Sequence, residues 1–465
     1  MASTTDTPSA PARPAQPGLP PGPSAWPLGW PLLRALQADY LGFVTRLQRQ
    51  YGDVTHLRIV NERLVDIFSP ALVREVLVDH ADRTVRWERG IEVFAEVFGQ
   101  SVLTTEGATW QRQRRMLQPA FTPRRVAGYA GLMQAACNDA LDTALPPGTR
   151  QATVDMEALW SRLAIGAILR TLFSLEDAAQ AREAMQATRV LSEVAMREMF
   201  WPMTLPDWLP LPGKAAKRQA LRTLRAVVGG QIAQRHADQA AGRAIPADDL
   251  LAHLLALRDE ATGQGLSEAE VFDQCIVSFQ AGHETTATAL TWWSALMAAN
   301  TGAAARAQAE VDTALAGALP GPDDLARLPW LVATLKEAMR LYPPTTAIFS
   351  RRCTQTLQLG GHAVPKGALL RITIWSLHHD ARWFDQPEVF RPERFLPDAP
   401  PPPRGAYLPF GAGPRVCIGQ HFALLEMVVA AAMFLQRLQL PDQAGCALPA
   451  PEVHATLRPR GGLHL

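Results

Sequence analysis

The segment Phe410-Gly411-Ala412-Gly413-Pro414-Arg415-Val416-Cys417-Ile418-Gly419 limits what this chain can fold into more than any other. It leads into an apolar run, 418–438, that reads as the last helix. Gly411 and Gly413 permit a tight turn, because glycine alone has no Cβ to forbid it. Cys417 then stands at a helix start, where free backbone N–H groups and the positive dipole end favour a thiolate. The same donors would temper the charge on a metal-bound sulfur and so set the metal's potential. Gly419 lets the helix backbone approach the face of a flat macrocycle, Arg415 is placed to meet an anionic edge, and Phe410 can cover the sulfur. A lone cysteine beside a glycine-rich turn is ordinarily buried and inert. Here several special residue types coincide, each with its own physical reason.

The chain has 465 residues, 48% hydrophobic and 19% charged, which allows one large domain or a few ordinary ones with a substantial core. A net charge of +1 gives no global attraction to nucleic acid or to an acidic surface. The five cysteines are widely spaced with no CxxC, so neither a disulfide framework nor a zinc site is expected. No basic stretch followed by an apolar one opens the chain, and the uncharged run 285–305 is interrupted by Asn300-Thr301-Gly302. A cytoplasmic protein without a membrane anchor is expected.

Residues 1–25 are rich in Pro, Ala, Ser and Thr and read as a disordered tail, ending in a stiff Pro-rich segment that leads onto the body. Strand-like runs at 54–60 and 64–68 flank the turn Asn61-Glu62. Helical pattern then dominates to about residue 340, with Pro-rich punctuation at 201–212. Strand-like pieces return within 345–375, and a Pro-rich coil at 387–413 precedes the cysteine loop. The expectation is a mainly α fold with small marginal β-sheets, one large domain over 26–465.

Ser267-Glu268-Ala269-Glu270 is a capping box for a helix running to about Asn300, on the order of 50 Å long. Its middle carries Ala281-Gly282-His283-Glu284-Thr285-Thr286. Gly282 would leave room for a ligand, and Thr285 can bond back to the carbonyl of Ala281 and loosen the helix. Glu337 and Arg340 lie at i, i+3 on one helix face, and Arg394 follows in the coil. Trp110 and Arg114, at i, i+4, can donate toward one anion.

Together, and in this order, these motifs resemble the cytochrome P450 family over nearly the whole chain after the tail. The resemblance implies haem b, an iron protoporphyrin IX, ligated by Cys417. It implies proton delivery to dioxygen by Glu284 and Thr285, with His283 facing away. Propionates would be held by Trp110, Arg114, Arg415 and Arg351, or by the adjacent Arg352. Glu337, Arg340 and Arg394 would form a buried structural triad. A hydrophobic substrate (a fatty acid, terpenoid or other lipid-like molecule) would meet Val93, Phe94, Val97, Phe98, Ile348 and Phe349, with Phe279 and Ala281 on the distal helix. Met196, Met199, Phe200, Trp201, Met203 and Trp208 would cover it. Too little chain follows Cys417 for a fused flavin reductase. Electrons from NAD(P)H are therefore expected through a separate ferredoxin or flavodoxin-like partner with its reductase, to a monomer. Arg112, Arg115, Arg124 and Arg125 form a basic stretch that could steer such a carrier. A peroxide-fed enzyme is the second reading, disfavoured by the intact Glu284-Thr285 pair. A haem sensor without chemistry is the third.

Overall fold

A helix that is apolar on every side must be buried on every side, and two segments of this chain are of that kind. Glu268–Ala299, 32 residues long, is buried around its circumference over its second half. Gln420–Arg437 is likewise buried from Leu425 to Leu435. The computed structural model describes residues 18–24, 28–146, 148–149, 151–175, 178–199, 208–209, 211, 213–243, 249–260 and 262–465. Around the long helix pack Met156–Phe173, Pro329–Leu341 and the terminal helix. The expected capping box forms: Ser267 Oγ accepts from the N–H of Glu270 at 3.2 Å, and Glu270 accepts from the N–H of Ser267 at 2.9 Å. At the far end Asn300 breaks the helix before Thr301–Leu315 begins. Among the described residues no helix is long and apolar enough to cross a membrane.

Three fully buried tryptophans fix the long helix in place, each with its N–H satisfied, as burial in an apolar core demands. Trp160 donates to Ser294 Oγ and Trp293 to Thr334 Oγ1, both at 2.9 Å, while Trp292 donates to the carbonyl of Leu457 at 2.6 Å. Trp292 also stacks on Tyr342, with centroids 3.8 Å apart.

The β structure is small and lies beside the helices. Strands β1 (Val54–Ile59) and β2 (Glu62–Ile67) form the expected hairpin. With β3 (Thr84–Arg86), β4 (Arg351–Cys353) and β7 (Leu369–Ile372) they make a five-stranded sheet in the order β1-β2-β7-β4-β3. Among the described residues only β2 and β7 pair in parallel. Strands β5 (Leu357–Leu359) and β6 (His362–Val364) form one hairpin, β8 (Pro451–Val453) and β9 (Leu457–Pro459) another. The expected tail lies mostly outside the described residues. Its described part, 18–24, is docked: Pro21 accepts from the N–H of His56 at 2.9 Å. A Cβ on Gly22 would sit 1.6 Å from the carbonyl oxygen of His56, so only glycine allows this approach.

Candidate active site

The cysteine loop folds on its own backbone. The N–H of Cys417 donates to the carbonyl of Phe410 at 2.9 Å, and Gly413–Arg415 forms a single 3-10 turn. Gly411 and Gly413 have φ of 74° and 73°, as the tight turn requires. A Cβ on Gly413 would stand 2.0 Å from the carbonyl oxygen of Leu77, so the loop is also pressed against that segment. The terminal helix starts at Gln420 with Gly419 as its N-cap, so Cys417 precedes the helix instead of opening it. Its sulfur opens onto accessible space but is enclosed by surrounding protein. Enclosure pushes the thiol up, and the N–H of Gly419 and the guanidinium of Arg114 only partly offset this. The N–H of Gly419 and the cation of Arg114 are the groups of the loop's surroundings that favour a thiolate. Cys137, Cys275 and Cys353 are buried, with thiols pushed up by burial, to about 12 for Cys137 and about 11 for Cys353.

Beside the loop, three arginines from distant segments surround one carboxylate. Arg86 donates to Glu106 Oε1 at 2.5 Å, and Arg415 donates to Glu106 Oε2 at 2.6 Å and to the carbonyl of Thr105 at 3.1 Å. Among the described residues Arg351, 8% exposed, bonds only to the carbonyl of Phe349 at 3.1 Å. Burial and mutual repulsion with Arg86 bring Arg351 down to about 10 and Arg415 to about 9. The guanidinium of Arg415 lies 3.7 Å from the centroid of the Trp110 ring, a cation–π contact. Arg114 is half-buried, with its cation felt at Cys417. The neighbouring Arg352 is committed elsewhere, to Glu62 and Glu88. A porphyrin dianion suits these residues: the sulfur is reachable, and the surplus of buried cations over Glu106 matches two propionates.

In the long helix Ala281 is exposed and Gly282 and Thr285 partly so, although Gln280, His283, Glu284 and Thr286 are buried. Thr285 makes the expected back-bond to the carbonyl of Ala281 at 2.9 Å. Gly282 corrects an expectation: a Cβ there would meet Ile168 Cδ1 at 3.1 Å. Its missing side chain makes room for Met156–Phe173 and none for a ligand. His283 is buried against Phe279, and burial lowers its basicity. Glu284 turns into a polar knot, accepting from Ser192 Oγ at 2.6 Å, Thr456 Oγ1 at 3.0 Å and Arg458 Nη2 at 2.9 Å.

Residues 20–463 match the family model described as Cytochrome P450. The chain is a member of the cytochrome P450 family. Among relatives, it is 34% identical over 413 residues to cyclooctatin synthase of Streptomyces melanosporofaciens, covering 88% of each chain. It is 34% identical over 400 residues to cyclooctat-9-en-7-ol 5-monooxygenase of the same organism, covering 86% of this chain and 84% of that one. With the chloroplastic carotene epsilon-monooxygenase of Arabidopsis thaliana it shares 28% identity over 449 residues, 90% of this chain and 82% of that one. This P450 is therefore a haem-binding, haem-thiolate monooxygenase with the family's mainly α fold.

The P450 triad forms as expected. Arg340 donates twice to Glu337 at 2.8 Å, both wholly buried, and Arg394 reaches the same carboxylate at 3.4 Å. Arg340 also donates to the carbonyls of His378 at 2.8 Å and Pro387 at 2.7 Å, which pins the coil leading to the cysteine. His378 accepts from the N–H of Leu408 at 2.9 Å and so carries the lock into that loop.

Of the expected wall, Phe94, Ile348 and Phe349 are half-buried, with Phe94 edge-on to Phe349 at 5.3 Å. Val93, Val97, Phe98 and Phe279 are packed into the core instead. Of the expected cover, Met199 packs near Gly90 and Trp208 is exposed, while Phe200, Trp201, Met203 and the side chain of Met196 lie outside the described residues. Part of the basic stretch is neutralised, since Arg112 pairs with Glu270 and Arg115 with Asp259 at 2.6 Å, while Arg125 meets His253, which carries no negative charge. Sequence reading missed Arg86, Glu106, His378 and Arg458. Each is an isolated charge or ring with no motif around it, and only tertiary folding brings it to the site.

Proposed function

We propose that this P450 binds haem b through the Cys417 thiolate and inserts one oxygen atom of O2 into a hydrophobic substrate. The second oxygen leaves as water, taking up two protons from solvent and two electrons that a separate ferredoxin or flavodoxin-like protein and its reductase pass on from NAD(P)H. The observation that carries the reading is the accessible Cys417 sulfur beside a buried excess of guanidinium groups. In this reading Arg114, Arg351, Arg415 and Trp110 hold the propionates, while Phe410, Gly411 and Gly419 shape the bed of the ring. Glu284 and Thr285 move protons to the reacting oxygen. When bound, the iron would supply oxygen activation, and the Cys417 thiolate would lend it electron density.

The half-buried Phe94, Ile348 and Phe349 offer an apolar wall. Relatives are named for cyclooctat-9-en-7-ol and carotene. Both favour a lipid-like substrate, a terpenoid foremost. The free, widely spaced cysteines suit a reducing compartment, and the enzyme is read as a cytoplasmic monomer. The test is a carbon monoxide difference spectrum of the reduced protein. A strongly red-shifted Soret band is expected, and Cys417→Ser should abolish it. A band without the red shift in the unaltered protein would overturn thiolate ligation by Cys417.

A further inference from the structure

Glu284 is 9% exposed, yet both its oxygens are engaged by groups from other elements. Ser192, on the helix Ala178–Met199, holds Oε2 at 2.6 Å. The β8–β9 hairpin holds Oε1 through Thr456 at 3.0 Å and Arg458 at 2.9 Å. Arg458 is shared: its other nitrogen lies 3.2 Å from Glu157 Oε1 at the start of Met156–Phe173. The hairpin is itself fastened to the long helix, because Trp292 donates to the carbonyl of Leu457 at 2.6 Å and Thr288 to Thr456 at 3.2 Å. The charged or titratable groups around the carboxylate are thus Arg458, with Glu157 behind it, and the adjacent His283, kept from protonating by burial.

We infer that Arg458 is a positioning residue for Glu284: it keeps the acid ionised and turned toward the hairpin, and its release is the step that lets the acid carry a proton toward Thr285. This rests on the reading of Glu284 as a proton carrier. Burial alone drives a carboxyl toward its neutral form, yet Glu284 is held below the ordinary range, with Arg458 the largest force opposing burial. A carboxylate whose lone pairs are taken by an arginine, a threonine and a serine has little basicity left for a relay. Proton transfer then requires the Arg458 contact to open. Because that contact sits on a hairpin and Ser192 on a different helix, movement of either element reaches the acid.

The test uses the haem-loaded protein and infrared difference titration of its carboxyl groups. In Arg458→Gln, burial should win, and a protonated carboxyl band additional to that of the buried Glu426 should be present near pH 7. That band should be missing from the unaltered protein and from the double variant carrying Glu284→Gln. No such band between about pH 6 and pH 8 overturns the inference. If Arg458→Gln loses haem, Arg458→Lys serves, since one ammonium cannot span Glu157 and Glu284 as a guanidinium fork does. Its Glu284 midpoint should rise, and a midpoint equal to that of the unaltered protein overturns the idea. In parallel, NADPH oxidation through a surrogate ferredoxin and its reductase is followed across pH. Glu284→Gln should slow it roughly tenfold or more if the acid carries protons. An unchanged rate there sinks the proton-carrier reading, while the infrared band still judges the hold of Arg458 separately.

Discussion

On the terminal helix Glu426 is buried, and neither carboxyl oxygen has a hydrogen-bond partner among the described residues. The hydroxyl of nearby Thr286 is given to the carbonyl of Gly282 at 3.1 Å. Burial pushes Glu426 up to about 8. An unfolded glutamate titrates near about 4.3, so between these values the folded protein binds a proton that the unfolded chain releases. Stability tied to this group is therefore complete at low pH and is lost as pH rises toward 8. Glu426→Gln, neutral at every pH, should leave the melting temperature nearly unchanged at about pH 4 and raise it at about pH 9. The difference should be on the order of a few kcal/mol, and equal shifts at both pH values would refute the assignment. Residues of the cysteine loop were legible because each carries a separate constraint. Glu426 was not, since an acid in an apolar helix reads like any other until its surroundings are seen.

Gly282 shows how far a motif reaches at the scale of an element. Its sequence setting suggested space for a ligand, but its open side faces Ile168 on the neighbouring helix. Gly282→Ala should gain about 1 kcal/mol of helix propensity and lose a comparable amount by pushing the Ile168 methyl at 3.1 Å. A small net change in stability with an unaltered carbon monoxide band is expected. A shifted or missing band would return this position to the haem side. The long helix itself was legible, from its capping box to its stop near Asn300, because caps are local. The start of the terminal helix was not. The loop spends Gly413–Arg415 on a 3-10 turn and Gly419 on the cap, which delays the helix to Gln420.

Across the whole molecule, the buried lock of Glu337 and Arg340 passes through His378 into the segment that carries Cys417. Burial brings His378 down to about 3 and the adjacent His379 down to about 4. An unfolded histidine titrates near about 6.5. The depressed values give stability that is present above that pH and lost as pH falls toward 4 and then 3. Protonation of His378 also removes its acceptor for the N–H of Leu408, so acid should loosen the cysteine loop along with the fold. Melting temperature should decline from about pH 6.5 down to pH 4, and the carbon monoxide band should be lost below that, as pH approaches about 3 and His378 protonates. In His378→Gln the slope of melting temperature over that window should be shallower, and an identical slope would show that acid acts elsewhere.

The cysteine loop, the long helix with its capping box and the Glu337–Arg340 pair were legible from residue order alone, because turns, caps and i, i+3 pairs are properties of neighbouring residues. Which cations gather beside the sulfur, and which arginine holds the acid, depended on strands and loops hundreds of residues apart meeting in one place. Charge at a distance leaves no local pattern, so only the folded chain could decide it.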